Sequence, residues 1–230
     1  MIRKFWVAVL GLATTLAFSF GLALGAAQGV ALADESSQWS INGSIDISPG
    51  EHRGNLSTVN GSIRVGADAM VGEVKTVNGD VKLESRARAS ALDTVNGSID
   101  LKDGARVQGA VHTVNGSLHV DNAADVAGDL TNVNGNIHVA AAHVSGSVNT
   151  TSANIDLGPN AHIDGNVVVK KNNGWQSDST PPRVVVEPGT IVKGKLRFER
   201  PVKLYVSDHA TIGPVEGAEV VQFSGDHPPG

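Results

Sequence analysis

An Asn-Gly pair recurs along this chain at almost constant spacing, and that spacing restricts the fold more than any other feature. Asn stands at positions 42, 60, 78, 96, 115 and 134, with Ser152 in the equivalent place of the next copy, so successive intervals are 18, 18, 18, 19, 19 and 18 residues. A period this short implies a solenoid whose repeats pack on their neighbours rather than a string of domains. Three residues after that position come Ile45, Ile63, Val81, Ile99, Leu118, Ile137 and Ile155, and five after it come Ile47, Val65, Leu83, Leu101, Val120, Val139 and Leu157. Between these aliphatic columns runs a polar one: Asp46, Arg64, Lys82, Asp100, His119, His138 and Asp156. Apolar, polar, apolar is the alternation of a half-buried strand with its charged side in water. A second strand in each copy carries Leu56, Val74, Leu92, Val111, Leu130, Val148 and Val167 inward. Helical spacing is absent, and each apolar segment is too short for a helix.

The pattern predicts an all-β chain: a single-stranded parallel β-helix (β-solenoid) of about nine rungs, with 18–19 residues per rung dividing naturally into three short sides. Asn-Gly is also a strong hairpin signal, but a hairpin array needs no fixed period, whereas corners stacked in register demand one. Gly adopts positive φ freely and Asn more readily than most residues, so Asn42, Asn60, Asn78, Asn96, Asn115 and Asn134 are expected at a left-handed corner. If their side chains point inward, successive amides about 4.8 Å apart can form a hydrogen-bonded ladder. Thr58, Thr76, Thr94 and Thr113 would form a parallel hydroxyl column. Alternation alone leaves inward and outward open, because side-chain parity changes at a corner.

The first residues differ in kind. Arg3 and Lys4 precede an uncharged, mostly apolar stretch from Phe5 to Ala33, ending Ala31-Leu32-Ala33 before Asp34. Residues 1–33 therefore read as a secretory signal peptide or, if uncleaved, a membrane anchor, and the body is expected to be exported to the periplasm or cell surface. Residues 34–169 form the regular rungs, 170–183 a polar insertion loop with Trp175 and Pro181-Pro182, 184–223 irregular terminal rungs, and 224–230 a flexible tail. The chain has no Cys, so an exported body gains nothing from disulfides and stability must come from repetition. Its net charge of −5, with no long basic run, argues against a nucleic-acid partner.

The segments "GSIRV", "GEVKTVNGDVKL" and "VQGAVHTVNGSLHV" resemble the polymer-forming bactofilins and the exported adhesin-like bacterial β-helix domains. The likeness spans roughly residues 41–221 and rests on aliphatic-glycine patterns that many β-solenoids share. It implies a structural role and carries no catalytic residue across. Bactofilins are largely cytoplasmic scaffolds, so the export signal favours the adhesin-like group.

Enzymes built on β-helices act on polysaccharides through converging acids and bases in a groove with aromatic platforms. Between Asp34 and Val169 the only Phe, Tyr or Trp is Trp39, and rung length varies too little to build groove walls. The reading is therefore non-catalytic, with no cofactor, and a carbohydrate-active enzyme stands as an alternative. His119 and His138, flanked by Asp100 and Asp156 in one column, are the metal candidates the sequence offers, although an outward column samples such residues anyway. The Asn-Gly-Ser sequons at Asn42, Asn60, Asn96 and Asn115 follow from the repeat without any glycan.

A β-helix exposes unpaired backbone at each end and needs caps. Trp39 is expected as a lid over the first rung, with Phe198, Tyr205, Phe223 and the Asp226 and proline tail closing the other. Caps imply a monomer or small oligomer rather than the filament of a bactofilin-like scaffold. The partners expected are an envelope polysaccharide or protein, with membrane contact only through residues 1–33 if these are retained.

Overall fold

The computed structural model describes residues 37–171 and 180–225 together with Pro228. Residues 1–36, with the segment expected as a signal peptide, the core of the insertion at 172–179 with Trp175, and most of the expected tail, Asp226 included, lie outside these residues. Among the described residues there is no helix: 27 strands wind into a β-solenoid of about nine coils whose three faces are parallel sheets of ten, ten and seven strands. The long face begins at Gln38–Asn42 and ends at Val215–Glu216, the second face runs from Ile45–Ile47 to Val220–Phe223, and the narrow face stacks two-residue strands from Arg88–Ala89 to Thr211–Ile212.

Register follows the sequence columns. On the second face Ile45 pairs with Ile63, Val81, Ile99, Leu118, Ile137 and Ile155 in turn. On the long face Leu56, Val74, Leu92, Val111, Leu130, Val148 and Val167 stack in the same way. The narrow face adds Ala89, Val107, Val126, Val144, Ile163, Val192 and Ile212. All three sets face one aliphatic core in which most side chains are wholly buried, so each coil loses its apolar surface to water by stacking on the next.

The Asn-Gly corner is built differently from the expectation. None of the six Asn has positive φ, and Gly61, Gly79, Gly97 and Gly116 do not use it either. What requires glycine is the stack itself: a Cβ on Gly79 would collide with the carbonyl of Gly61, and one on Gly97 with that of Gly79. That same carbonyl column is met from the core side by the threonines. Thr58, Thr76, Thr94 and Thr113 are buried, and their Oγ1 groups donate to the carbonyls of Gly43, Gly61, Gly79 and Gly97 at 3.1, 3.0, 3.1 and 2.9 Å. The hydroxyls thus bond backbone of the preceding coil, not one another. In the next coil Asn132 takes the threonine's place and donates Nδ2 to Gly116 at 2.8 Å. The asparagines face outward and form a continuous amide ladder, Nδ2 to Oδ1 of the preceding Asn, at 2.8–3.0 Å from Asn42 to Asn134.

Gly43 and Gly135 take positive φ, 141 and 129°, at two of the Asn-Gly corners, but its regular place is another corner, between the second and narrow faces. Gly50, Asp68, Arg86, Gly104, Ala123, Asn160 and Gly189 take it there, with φ from 55 to 74°. The turn closes by a bond from the following residue to a carbonyl three back, as from Ala69 to Gly66, Ala87 to Glu84 and Ala105 to Lys102, the placement of positive φ typical of a type II turn. A buried alanine column, Ala69, Ala87, Ala105, Ala124, Ala142 and Ala161, fills the tight space behind it.

The ends also differ from expectation. Trp39 does not lie over the first coil; it pairs in register with outward Ser57 and is 69% exposed, because strand alternation sends Gln38 and Ser40 to the inward side. Tyr205 likewise faces outward, under the Arg183 guanidinium at 5.1 Å from its ring centroid. Phe198 and Phe223 do enter the core near the far end. The outermost strands mix polar and apolar inward positions: Gln38 aligns with Leu56 and Gln222 with Val206, beside inward Ile45, Ile47 and Val220.

Candidate functional site

The outward columns carry the chemistry. On the second face the sequence candidates stand in one register row, Asp100, His119, His138 and Asp156. They do not converge. His119 Nδ1 bonds Asp100 Oδ1 at 3.0 Å on one side, and His138 Nδ1 bonds Asp156 Oδ2 at 3.0 Å on the other. Each imidazole is turned towards its own carboxylate and away from its neighbour, so the four residues form two separate pairs rather than one cradle. The Asp156 carboxylate raises the His138 pKa above its ordinary value through this hydrogen bond.

A second histidine column lies on the narrow face, outside the metal candidates His119 and His138. Strands Asp125–Val126, His143–Val144 and His162–Ile163 are neighbours, placing Asp125, His143 and His162 in a row. His143 Nδ1 bonds Asp125 Oδ1 at 2.8 Å, and its Nε2 lies 3.1 Å from Asp164 Oδ2. His162 Nε2 lies 3.1 Å from Asp164 Oδ1, and Lys193 Nζ approaches that oxygen to 2.8 Å. The two imidazole rings meet edge to face, with centroids 5.4 Å apart. Among the described residues, His143, His162 and Asp164 are the group of three or more potential ligands that converges, each contributing one ligand atom within 4.8 Å of the others. Asp125 and then Asp164 hold the His143 pKa above its ordinary value, and Lys193 followed by His143 holds the Asp164 carboxyl far below the usual range.

The signal for this row was present. Val126, Val144 and Ile163 recur at the coil period, each preceded by Asp125, His143 or His162. Two-residue strands give no alternation by which to notice it.

Beside His138 the second face changes character. Asp156 is followed along the outward column by Val185 and Tyr205, and an open groove here is bordered by His138, Asp156, Arg183, Glu187 and Pro228 of the tail. The insertion leaves the coil close by, between strands Val167–Val169 and Arg183–Val186, at the corner where earlier coils carry Asn-Gly. Arg200 Nη1 reaches back to the Thr151 carbonyl at 3.2 Å, beyond the end of the asparagine ladder.

On the long face, burial pushes the Asp93 carboxyl up, against the pull of His112 and Lys75 beside it. Elsewhere the outer faces carry exposed ion pairs such as Arg86–Asp68 and Lys195–Glu216, each of small energetic weight.

Compared with protein-family models, curated proteins and solved structures, the chain finds no match. The fold and these surface columns therefore carry the functional argument.

Proposed function

We propose that the protein is a non-catalytic, exported β-helix of the bacterial cell envelope, acting as a structural or adhesin-like surface. The observation that carries this reading is the form of the coil: its length goes into three regular outward faces of stacked polar columns, the kind of extended surface on which solenoids bind partners. Export rests on the basic, apolar, small-residue order of residues 1–33. The partner class is an envelope polysaccharide or protein. Gln38 and Gln222 at inward positions of the outermost strands favour a monomer or small oligomer, because an incoming coil would have to bury both amides, even though Ile45, Ile47 and Val220 beside them are apolar.

Cell fractionation combined with N-terminal sequencing tests the reading. The expected result is a mature chain starting at Asp34 in the envelope fraction, without hydrolytic activity on envelope glycans. A cytoplasmic protein retaining Met1, or glycan cleavage by the purified chain, overturns it. Long filaments in negative-stain microscopy would replace it with the bactofilin-like, end-to-end scaffold.

A further inference from the structure

We propose that His143, His162 and Asp164 form a binding site on the narrow face for a divalent transition metal of the zinc type. Two imidazoles and a carboxylate are the donor set that suits such a borderline ion, whereas hard cations such as Mg2+ prefer oxygen alone. The separations fit: both Nε2 atoms stand 3.1 Å from an Asp164 oxygen, close to the roughly 3.3 Å between adjacent ligands of a tetrahedral zinc with bonds of about 2.05 Å.

The orientation of His143 is an independent sign. Its Nδ1 is committed to Asp125 at 2.8 Å, which aims Nε2 at Asp164 and reproduces the carboxylate–histidine–metal relay found around metal ligands. In the neutral imidazole, with Nδ1–H donated to Asp125, Nε2 and the Asp164 carboxylate face each other as two electron-pair donors, a position that a proton or a metal cation can occupy. His119 and His138 have the same residue types but not this arrangement, since each spends its Nδ1 bond on a different carboxylate facing away from the other ring.

The scaffold keeps the ligands in place. His143 and His162 occupy paired positions of adjacent strands, and Asp164 follows His162 by two residues, just past the strand. All three side chains are between 33 and 42% exposed, so an ion can enter from solvent and water can complete its coordination. Lys193 places its ammonium 2.8 Å from Asp164 Oδ1 and has a side chain 59% exposed. It pairs with the same Asp164 oxygen that His162 approaches and, being exposed, can swing away when a metal binds that carboxylate. Lys193 is thus a competitor for the site, and Asp125 a positioning residue.

Isothermal calorimetry of the purified protein with Zn2+, and with Mg2+ for comparison, tests the site. One Zn2+ per chain is expected, with no comparable heat from Mg2+. His162→Ala should weaken binding at least as much as the roughly 100-fold upper range for loss of a supporting contact, and Asp125→Asn should weaken it by about 10-fold. Lys193→Ala should tighten binding, an effect that a purely structural cluster would not produce. His119→Ala should leave affinity unchanged. These side chains face outward, so an unaltered circular dichroism spectrum establishes that each variant is folded. Absence of Zn2+ binding by the intact protein overturns the proposal, as does binding that survives His143→Ala and His162→Ala together, or a Lys193→Ala variant that binds no more tightly.

Discussion

At the Asn-Gly corner six coils repeat the same dipeptide, whereas at the left-handed corner one structural position is filled by Gly50, Asp68, Arg86, Gly104, Ala123, Asn160 and Gly189. The invariant corner has no positive φ at its asparagines and has it at only two of its six glycines, Gly43 and Gly135, whereas the variable corner uses it in coil after coil. Positive φ costs a non-glycine residue only about 1–2 kcal/mol, and near Gly104 the closest atom to an added Cβ is the flexible Arg86 Cγ at 3.4 Å. Many residues can meet that cost. A Cβ at the Asn-Gly corner instead meets the backbone of the preceding coil, which is fixed by its own stacking. Uniformity in this chain therefore marks close backbone approach, and variability marks an exposed turn.

The comparison is most directly broken by alanine at one glycine of each corner. Gly79→Ala drives a methyl into the Gly61 carbonyl and is expected to cost on the order of 3 kcal/mol, at the upper end for overpacking. Gly104→Ala is expected to cost about 1 kcal/mol, since Ala123 already takes φ 55° in the equivalent place. Denaturant midpoints measure both. Equal losses would mean that backbone angle, not approach, governs the invariant corner.

Next in size is the buried side of the same corner. Thr94→Val keeps shape but removes the 3.1 Å hydroxyl bond to the Gly79 carbonyl, leaving that acceptor in the core at a cost of about 1–3 kcal/mol. Thr94→Ser, which retains the hydroxyl, should recover part of the loss. If the serine variant melts no higher than the valine one, the bond to the corner carbonyl is not what the threonine contributes.

How much of this was legible follows from strand length. Three- to six-residue strands on the long and second faces show alternation, so Ile45, Val74 and their columns could be assigned inward from sequence. Two-residue strands on the narrow face show none, which hid the His143–His162 row although its spacing matches the coil. Trp39 departs from the expected lid for a different reason. A lone aromatic near a chain end suggests a lid, but counting alternation back from its paired residue Ser57 sends it outward. The glycine rule failed at Asn-Gly because a single repeat does not reveal that another backbone passes within a methyl's reach; only stacked coils do.

A smaller effect of opposite sign is expected at the variable corner. Ala123→Gly relieves a left-handed alanine with φ 55° and should stabilise the protein by about 1 kcal/mol, less what is lost to the greater freedom of glycine in the unfolded chain. A midpoint unchanged or lowered would show that unfolded-state entropy outweighs the turn strain.

The smallest effect is expected at Arg86, where two terms of similar size oppose each other. Glycine there would remove the cost of positive φ at 60°, about 1 kcal/mol. It would also remove the paired hydrogen bonds from Arg86 Nε and Nη2 to Asp68 at 2.7 and 2.6 Å, which join two successive left-handed turns. The pair is exposed and its contribution small, but with the freedom glycine adds to the unfolded chain it offsets the relief of strain, so Arg86→Gly should be close to neutral at pH 7, in contrast to Ala123→Gly, which loses no such bonds. Acid separates the two terms. The Arg86 hydrogen bond holds the Asp68 carboxyl below its ordinary value, so this carboxylate's contribution is present above the unfolded pKa of about 3.9 and is lost as pH falls through the folded one. The strain term does not titrate. Arg86→Gly should therefore lose less stability than the parent between pH 5 and the acid limit, and at low pH it should be the more stable of the two. Parallel acid curves for parent and variant would show that the ion pair contributes nothing at this corner and that relief of backbone strain alone sets the difference.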